Sequence, residues 1–176
     1  MTLANETERI LRTRARALAR TPPRASAAGA MLALLEFHLA SERYAVESRL
    51  VQEVHPLRDL TPLPCTPSFV LGIVNVRGRI LPVLDLKKFF DLPERGLTDL
   101  HRVILVRGND LELGLLADVI VGVRSVEAES LQPSLPTLTG IRADFLKGVS
   151  DERLVVLDLD RILLEPKIIV HEEVTG

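Results

Sequence analysis

The chain has 176 residues, 47% of them hydrophobic, with a mean hydropathy of +0.20, which excludes intrinsic disorder over most of its length and allows a buried core. Its 22 Lys and Arg against 24 Asp and Glu give a net charge of −2, so overall charge offers no footprint for nucleic acid. A lone cysteine, Cys65, excludes an internal disulfide and suits a reducing compartment. There is no signal-like apolar segment and no apolar run of about 18 residues, so a soluble, cytoplasmic protein is expected. Aromatics are only 3%, so the core must be built from Val, Leu and Ile, and the β-branched members of that set favour strands.

Residues 1–29 differ from the rest. Arg9, Arg12, Arg14, Arg16, Arg20 and Arg24 against Glu6 and Glu8 make residues 1–28 +4 and the remainder −6. Ile10, Leu11, Ala15 and Leu18 recur at helical spacing behind leading acids, and Pro22-Pro23 stop the pattern. The segment reads as a basic helical tail and linker, either loosely ordered or docked on the body or a partner. From residue 30 onward the pattern is one of strands. Leu35, Phe37 and Leu39 alternate with Glu36 and His38; a turn at Ala40 to Arg43 leads to Tyr44 and Val46. Val103 to Val106 is an apolar run that ends at Arg107-Gly108-Asn109-Asp110, a hairpin turn before the alternating Leu111, Leu113 and Leu115. Pro82 within Ile80 to Leu86 is expected on an edge strand or at a bulge.

The body contains an internal repeat. Tyr44, Val46 and Val54 align with Leu113, Leu115 and Val123; Phe69-x-x-Gly72-Ile73 aligns with Phe145-x-x-Gly148-Val149; Leu81 to Leu86 (LPVLDL) aligns with Leu154 to Leu159 (LVVLDL). Two copies of a small β unit follow, about 31–92 and about 102–164, each too small to be comfortable alone and so expected to share a core.

Chemical constellations are weak. Asp85 and Asp158 each end a matched strand just before a short helical stretch, where an Asp caps orphan backbone N–H groups. His38, His55, His101 and His171 show no metal-ligand spacing, and Cys65 has no base or oxyanion motif nearby. Asn75-x-Arg77-Gly78 lacks both the dinucleotide fingerprint and a P-loop. No catalytic residue, metal or cofactor is expected. A small-barrel nucleic-acid-binding protein acting through the arginine-rich tail stands as the alternative, against a body that is acidic and poor in stacking aromatics.

The segment Phe69 to Leu86, FVLGIVNVRGRILPVLDL, needs a tight turn at Asn75-x-Arg77-Gly78, with Gly78 supplying the unusual backbone angle. The second copy has Ser150-Asp151-Glu152-Arg153 there instead, which suggests that the first turn carries something extra, a partner-contact arginine. Gly72 to Leu86, together with Tyr44-Ala45-Val46, Val51-Gln52-Glu53-Val54 and Leu113 to Val123, strongly resembles CheW-like adaptor domains, over about Met31 to Leu164. The resemblance implies an all-β fold of two pseudo-symmetric five-stranded antiparallel barrels of Src-homology type, with short helices. It also implies a non-enzymatic chemotaxis scaffold that joins the regulatory domain of a CheA-type histidine kinase to the cytoplasmic tip of a chemoreceptor, reaching the membrane only through receptor arrays. The kinase itself and CheV share the domain, but they need further domains for which 176 residues leave no room, so the free adaptor is expected. Carried over, the contacts fall at Val51, Glu53, Val54, Asn75, Arg77 and Gly78.

Overall fold

The computed structural model describes residues 29–93, 96, 100–133 and 141–168. The arginine-rich segment 1–28 and His171 lie outside the described residues. The described residues from Met31 onward belong to one unit. Its strands are β1 (Met31–Leu39), β2 (Glu42–Glu47), β3 (Val51–Pro56), β4 (Val70–Val76), β5 (Arg79–Leu84), β6 (Arg102–Gly108), β7 (Leu111–Ala117), β8 (Val119–Glu127), β9 (Leu146–Val149) and β10 (Val155–Leu157). The short helices are α1 (Leu86–Phe89), α2 (Ile141–Asp144) and α3 (Leu159–Leu164), and 3-10 turns occupy Ser48–Leu50 and Ala128–Ser130.

The strands form two five-stranded sheets, so the fold is all-β as the sequence implied. Sheet A runs β8-β1-β2-β10-β9 and sheet B runs β3-β6-β7-β5-β4. This corrects the division of the body into barrels at 31–92 and 102–164. The two sequence copies exchange strands: β1 and β2 of the first copy join β8, β9 and β10 of the second, while β3 to β7 make the other sheet. The connections cause this. Asp118 alone separates β7 from β8, and Ser48–Leu50 alone separates β2 from β3. Neither link reverses the chain as a hairpin does, so each strand runs on into the other sheet. Each sheet also carries one parallel pair, β2 with β10 and β5 with β7, so the pairing is not wholly antiparallel.

The repeat reappears in the hydrogen bonding. Val83 opposes Gly114 in sheet B as Val156 opposes Ala45 in sheet A. Each sheet is then closed by the continuation of its first strand. Thr61 exchanges both backbone hydrogen bonds with Ile73 at 2.9 Å, and Gln132 does so with Val149 at 2.9 Å. This closure accounts for the repeated Phe-x-x-Gly. A Cβ on Gly72, which has φ +147, would stand 2.2 Å from the Thr61 carbonyl oxygen, and one on Gly148 would stand 2.8 Å from Leu131 Cβ. Phe69 and Phe145 contribute their carbonyls, which accept from Asp85 N at 2.7 Å and Asp158 N at 2.8 Å.

Three apolar clusters result. The largest lies between the sheets and includes Leu35, Phe37, Tyr44 and Val46 of sheet A and Leu84, Ile104, Val106 and Leu115 of sheet B. The shared core expected from the repeat is therefore present. Sheet B encloses Val74, Val76, Leu81, Val83, Val103, Leu105 and Leu116. Sheet A encloses the smaller set Leu34, Ala45, Leu154 and Val156. Because β1 is covered on both faces, its alternation separates two interiors rather than core from solvent. Glu36, which alternates with the apolar Leu35 and Phe37, is itself only 4% exposed.

Pro82 is not on an edge strand, since β5 has neighbours on both sides, but it stands beside a bulge of the β4–β5 ladder, between Val70 and Gly72 opposite Val83 and Leu84. It pairs with Ile73 on β4, and the parallel ladder to β7 starts one residue later, at Val83, where an N–H is available again. Asp85 and Asp158 cap as read: Lys87 N donates to Asp85 Oδ1 at 2.9 Å and Arg161 N donates to Asp158 Oδ1 at 3.1 Å.

Candidate partner-binding site

Val76 opposes Arg79, so Arg77-Gly78 is a two-residue hairpin loop. Both loop residues have positive φ, 52° at Arg77 and 83° at Gly78, the pattern of a type I′ turn. The unusual angle is thus not confined to the glycine. Asn75 Oδ1 accepts from Gly78 N at 2.9 Å and fastens the loop from inside. The β6–β7 hairpin uses the same geometry with Asn109 at 52° and Asp110 at 61°, residues that tolerate it well. An arginine at that position is costlier, by about 1 kcal/mol.

The Arg77 side chain is 74% exposed and its Nη2 lies 3.0 Å from Glu53 Oε2. Arg79 Nη2 lies 3.8 Å from the other Glu53 oxygen and pairs through Nη1 with Glu112. His55 Nε2 stands 3.0 Å from Glu53 Oε2 without hydrogen-bond geometry. The structure therefore unites Glu53, Arg77 and Gly78, with Asn75 as the residue that shapes their turn. It does not unite all six expected residues. Val51 opposes Val106 and packs at the margin of the inter-sheet core. Val54 alternates with Glu53 along β3, so it points to the opposite face and is exposed.

Sequence reading missed Arg79 and Glu112, which complete this cluster from β5 and β7. It also missed a second cluster at the mouth of sheet A. There Glu36 accepts from Arg43 Nε at 2.7 Å and from Arg124 Nη1 at 3.4 Å, and Arg124 Nη1 lies 2.8 Å from Glu152. The hydrogen bond from Arg43 outweighs burial and, with Arg124, holds the Glu36 carboxyl below its ordinary value of 4.5. The available signal was that Arg43 and Glu112 hold equivalent places in the repeat, as do Glu152 and Arg79, with opposite charges.

Nothing in either cluster resembles a catalytic or metal centre. Every carboxylate in them is paired with a cation, and among the described residues no three His, Cys, Asp or Glu side chains are grouped to hold a metal ion. Cys65 is exposed. No helix among the described residues is long and apolar enough to cross a membrane.

Residues 33–167 match the CheW-like domain family. The chain is 33% identical to chemotaxis protein CheW of Treponema pallidum over 73% of its own length and 80% of that protein. It is 33% identical to protein FrzA of Myxococcus xanthus over 72% of its length and 82% of that protein. Among solved structures it is similar to the scaffolding protein TtCheW of Thermoanaerobacter tengcongensis, with 32% identity and a TM-score of 0.67, covering 76% of this chain and 88% of that one. The fold, the strand-by-strand repeat and these matches agree: the chain belongs to the CheW-like family, as a non-enzymatic chemotaxis scaffold.

Proposed function

We propose that this chain couples chemoreceptors to a CheA-type histidine kinase, and that the β4–β5 turn with the adjoining part of β3 is a contact surface for them. Val51, Glu53, Val54, Asn75, Arg77 and Gly78 are the residues assigned to it. Family membership supports the scaffold role, and one observation supports the site. An arginine occupies a left-handed position at a hairpin tip, tethered to a single carboxylate and otherwise in solvent. An exposed ion pair of this kind is worth only about 0–1 kcal/mol, so a partner carboxylate can replace Glu53 at small cost. The guanidinium also offers a planar set of donors that suits such an exchange.

In this reading the protein works at receptor arrays on the inner face of the membrane, with the receptors supplying the attachment. Coupling then arises because the bridge binds the two receptor states differently. The test is Arg77→Ala in a reconstituted mixture of receptor, kinase and adaptor, with thermal unfolding measured on the same preparation. Loss of receptor control and of affinity at an unchanged melting temperature supports the assignment. Full control with the variant shows that the contact lies elsewhere.

A further inference from the structure

We propose that Lys87, which is buried, and Asp118, which is partly buried, form a pin that fixes the angle between the two sheets, and that Arg49 and Asp160 form its weaker, charge-reversed counterpart. The inference stands independently of which partners bind.

The two points at which the chain passes between sheets are equivalent in the repeat. Arg49 lies as far beyond Tyr44 as Asp118 lies beyond Leu113. Lys87 and Asp160 are each the second residue after a capping aspartate, Asp85 and Asp158. At the B-to-A crossing, Lys87 Nζ of α1 donates to Asp118 Oδ1 at 2.6 Å. At the A-to-B crossing, Arg49 Nη2 donates to Asp160 Oδ2 of α3 at 2.7 Å. The geometry repeats while the charges are exchanged.

The surroundings differ. Lys87 is 2% exposed and Asp118 21%. Asp118 also accepts from Ala40 N, at the tip of the β1–β2 hairpin of sheet A, at 2.6 Å, and His101 Nε2 lies 2.9 Å from its Oδ1. One carboxylate thus ties a helix that follows sheet B to a hairpin of sheet A. Burial pushes the Asp118 carboxyl up, but Lys87, the Ala40 N–H and His101 together outweigh it and hold the group below its ordinary value. Arg49 and Asp160 are 55% and 44% exposed, and Arg49 shares its guanidinium with Glu47 at 2.7 Å. Water and salt screen that pair, whereas the Lys87–Asp118 pair, with its lysine buried, is screened less. The core between the sheets is apolar, and the hydrophobic term that holds it together is itself non-directional. A charge-assisted hydrogen bond is directional and can select one angle.

The test uses spin-label distances. In a Cys65→Ser background, labels at Ile80→Cys in sheet B and Val121→Cys in sheet A, both exposed positions, report the inter-sheet distance; labels at Val54→Cys and Ile80→Cys report sheet B alone. Asp118→Asn is expected to broaden or shift the inter-sheet distribution while leaving the control pair unchanged, and Arg49→Gln is expected to leave both near the parent. Lys87→Met with Asp118→Asn removes both charges, so no buried ion is left unpaired, and the inter-sheet change is expected to persist in a folded protein. An unchanged inter-sheet distribution in the double variant overturns the proposal, as does failure of that variant to fold. An equal or larger change in Arg49→Gln overturns it too.

Discussion

At the mouth of sheet A, Arg43 of β2 faces Glu152 in the turn before β10. At the mouth of sheet B the equivalent residues are Glu112 of β7 and Arg79 of β5, again paired. The signs are exchanged, and the deeper layer differs more. Glu36 opposes Ala45 in sheet A where Leu105 opposes Gly114 in sheet B. Sheet A therefore carries a buried carboxylate held by two arginines, and its enclosed apolar cluster is small. Sheet B keeps an apolar interior, so its acid moves outward to Glu53 on β3, where it tethers Arg77 at the surface. A charged cluster turned inward serves the fold of its own barrel. One placed at the rim leaves an arginine in solvent.

Exchanging the deep residues breaks this contrast if it is wrong. Leu105→Glu puts a carboxylate into sheet B without the arginine pair that serves Glu36, at a cost of about 3–5 kcal/mol, much of a typical domain's stability. Denaturant unfolding should show a large loss of midpoint or no folded protein. A Leu105→Glu protein that melts near the parent would mean that Arg79 swings inward and that the two interiors are interchangeable.

The next effect is on binding. Arg77→Ala should weaken kinase or receptor binding by at least about 2 kcal/mol, roughly thirtyfold, if the arginine is a central contact. Its stability should stay within about ±0.5 kcal/mol of the parent. Arg77→Lys should rescue binding only in part, since an ammonium lacks the planar donor fork. Calorimetric titration beside thermal melts separates the two quantities, and unfolding by Arg77→Ala would make the rim cluster structural like its counterpart.

Glu36→Leu copies sheet B into sheet A. It leaves Arg43 and Arg124 partly solvated and still beside Glu152, so a loss of about 1–2 kcal/mol is expected, less than for the reverse exchange. The same variant sharpens the acid limb. Glu36 titrates below 4.5 in the folded protein, so its contribution is complete above that value and is lost as the pH falls through its depressed folded value. The parent should lose more stability than Glu36→Leu below about pH 4.5. Parallel acid profiles for the two proteins would remove Glu36 from the account.

The smallest effect belongs to Arg153→Ala. Arg153 occupies the equivalent turn of sheet A with φ 61°. Both melting, within about ±0.5 kcal/mol, and receptor-dependent kinase control should match the parent. Loss of control would show that both turns make contacts and that the asymmetry between the rims carries no functional meaning.

Much of this was legible in the chain itself. The hairpins at Arg77-Gly78 and Asn109-Asp110 and the caps at Asp85 and Asp158 are local, because a few adjacent residues decide each of them. Of the rim cluster, Arg77 stood out because the repeat lacked its partner turn, and Glu53 entered through family resemblance. Arg79 and Glu112 did not stand out, since a charged residue beside a turn or on an alternating strand reads as solvated. Glu36 did not stand out for a related reason: periodicity of two shows that β1 has two faces, but not that a second interior covers the other one.

By itself, then, the sequence determined which segments are strands, where they turn, and which strand of one copy resembles which strand of the other. Only the tertiary structure decided which copies pair. A repeat makes Tyr44 and Leu113 equivalent, so an exchanged and an unexchanged arrangement satisfy the same patterns of burial and turn chemistry. The one-residue crossing at Asp118 and the three-residue crossing at Ser48–Leu50 choose between them, because neither reverses the chain and each carries it on into the other sheet. Once β1 and β2 have crossed over, Lys87 meets Asp118, Arg49 meets Asp160, and Glu36, already paired with Arg43 across the β1–β2 hairpin, finds Arg124; apart from that hairpin pair these are contacts between residues far apart in the chain that chain closure and packing bring together.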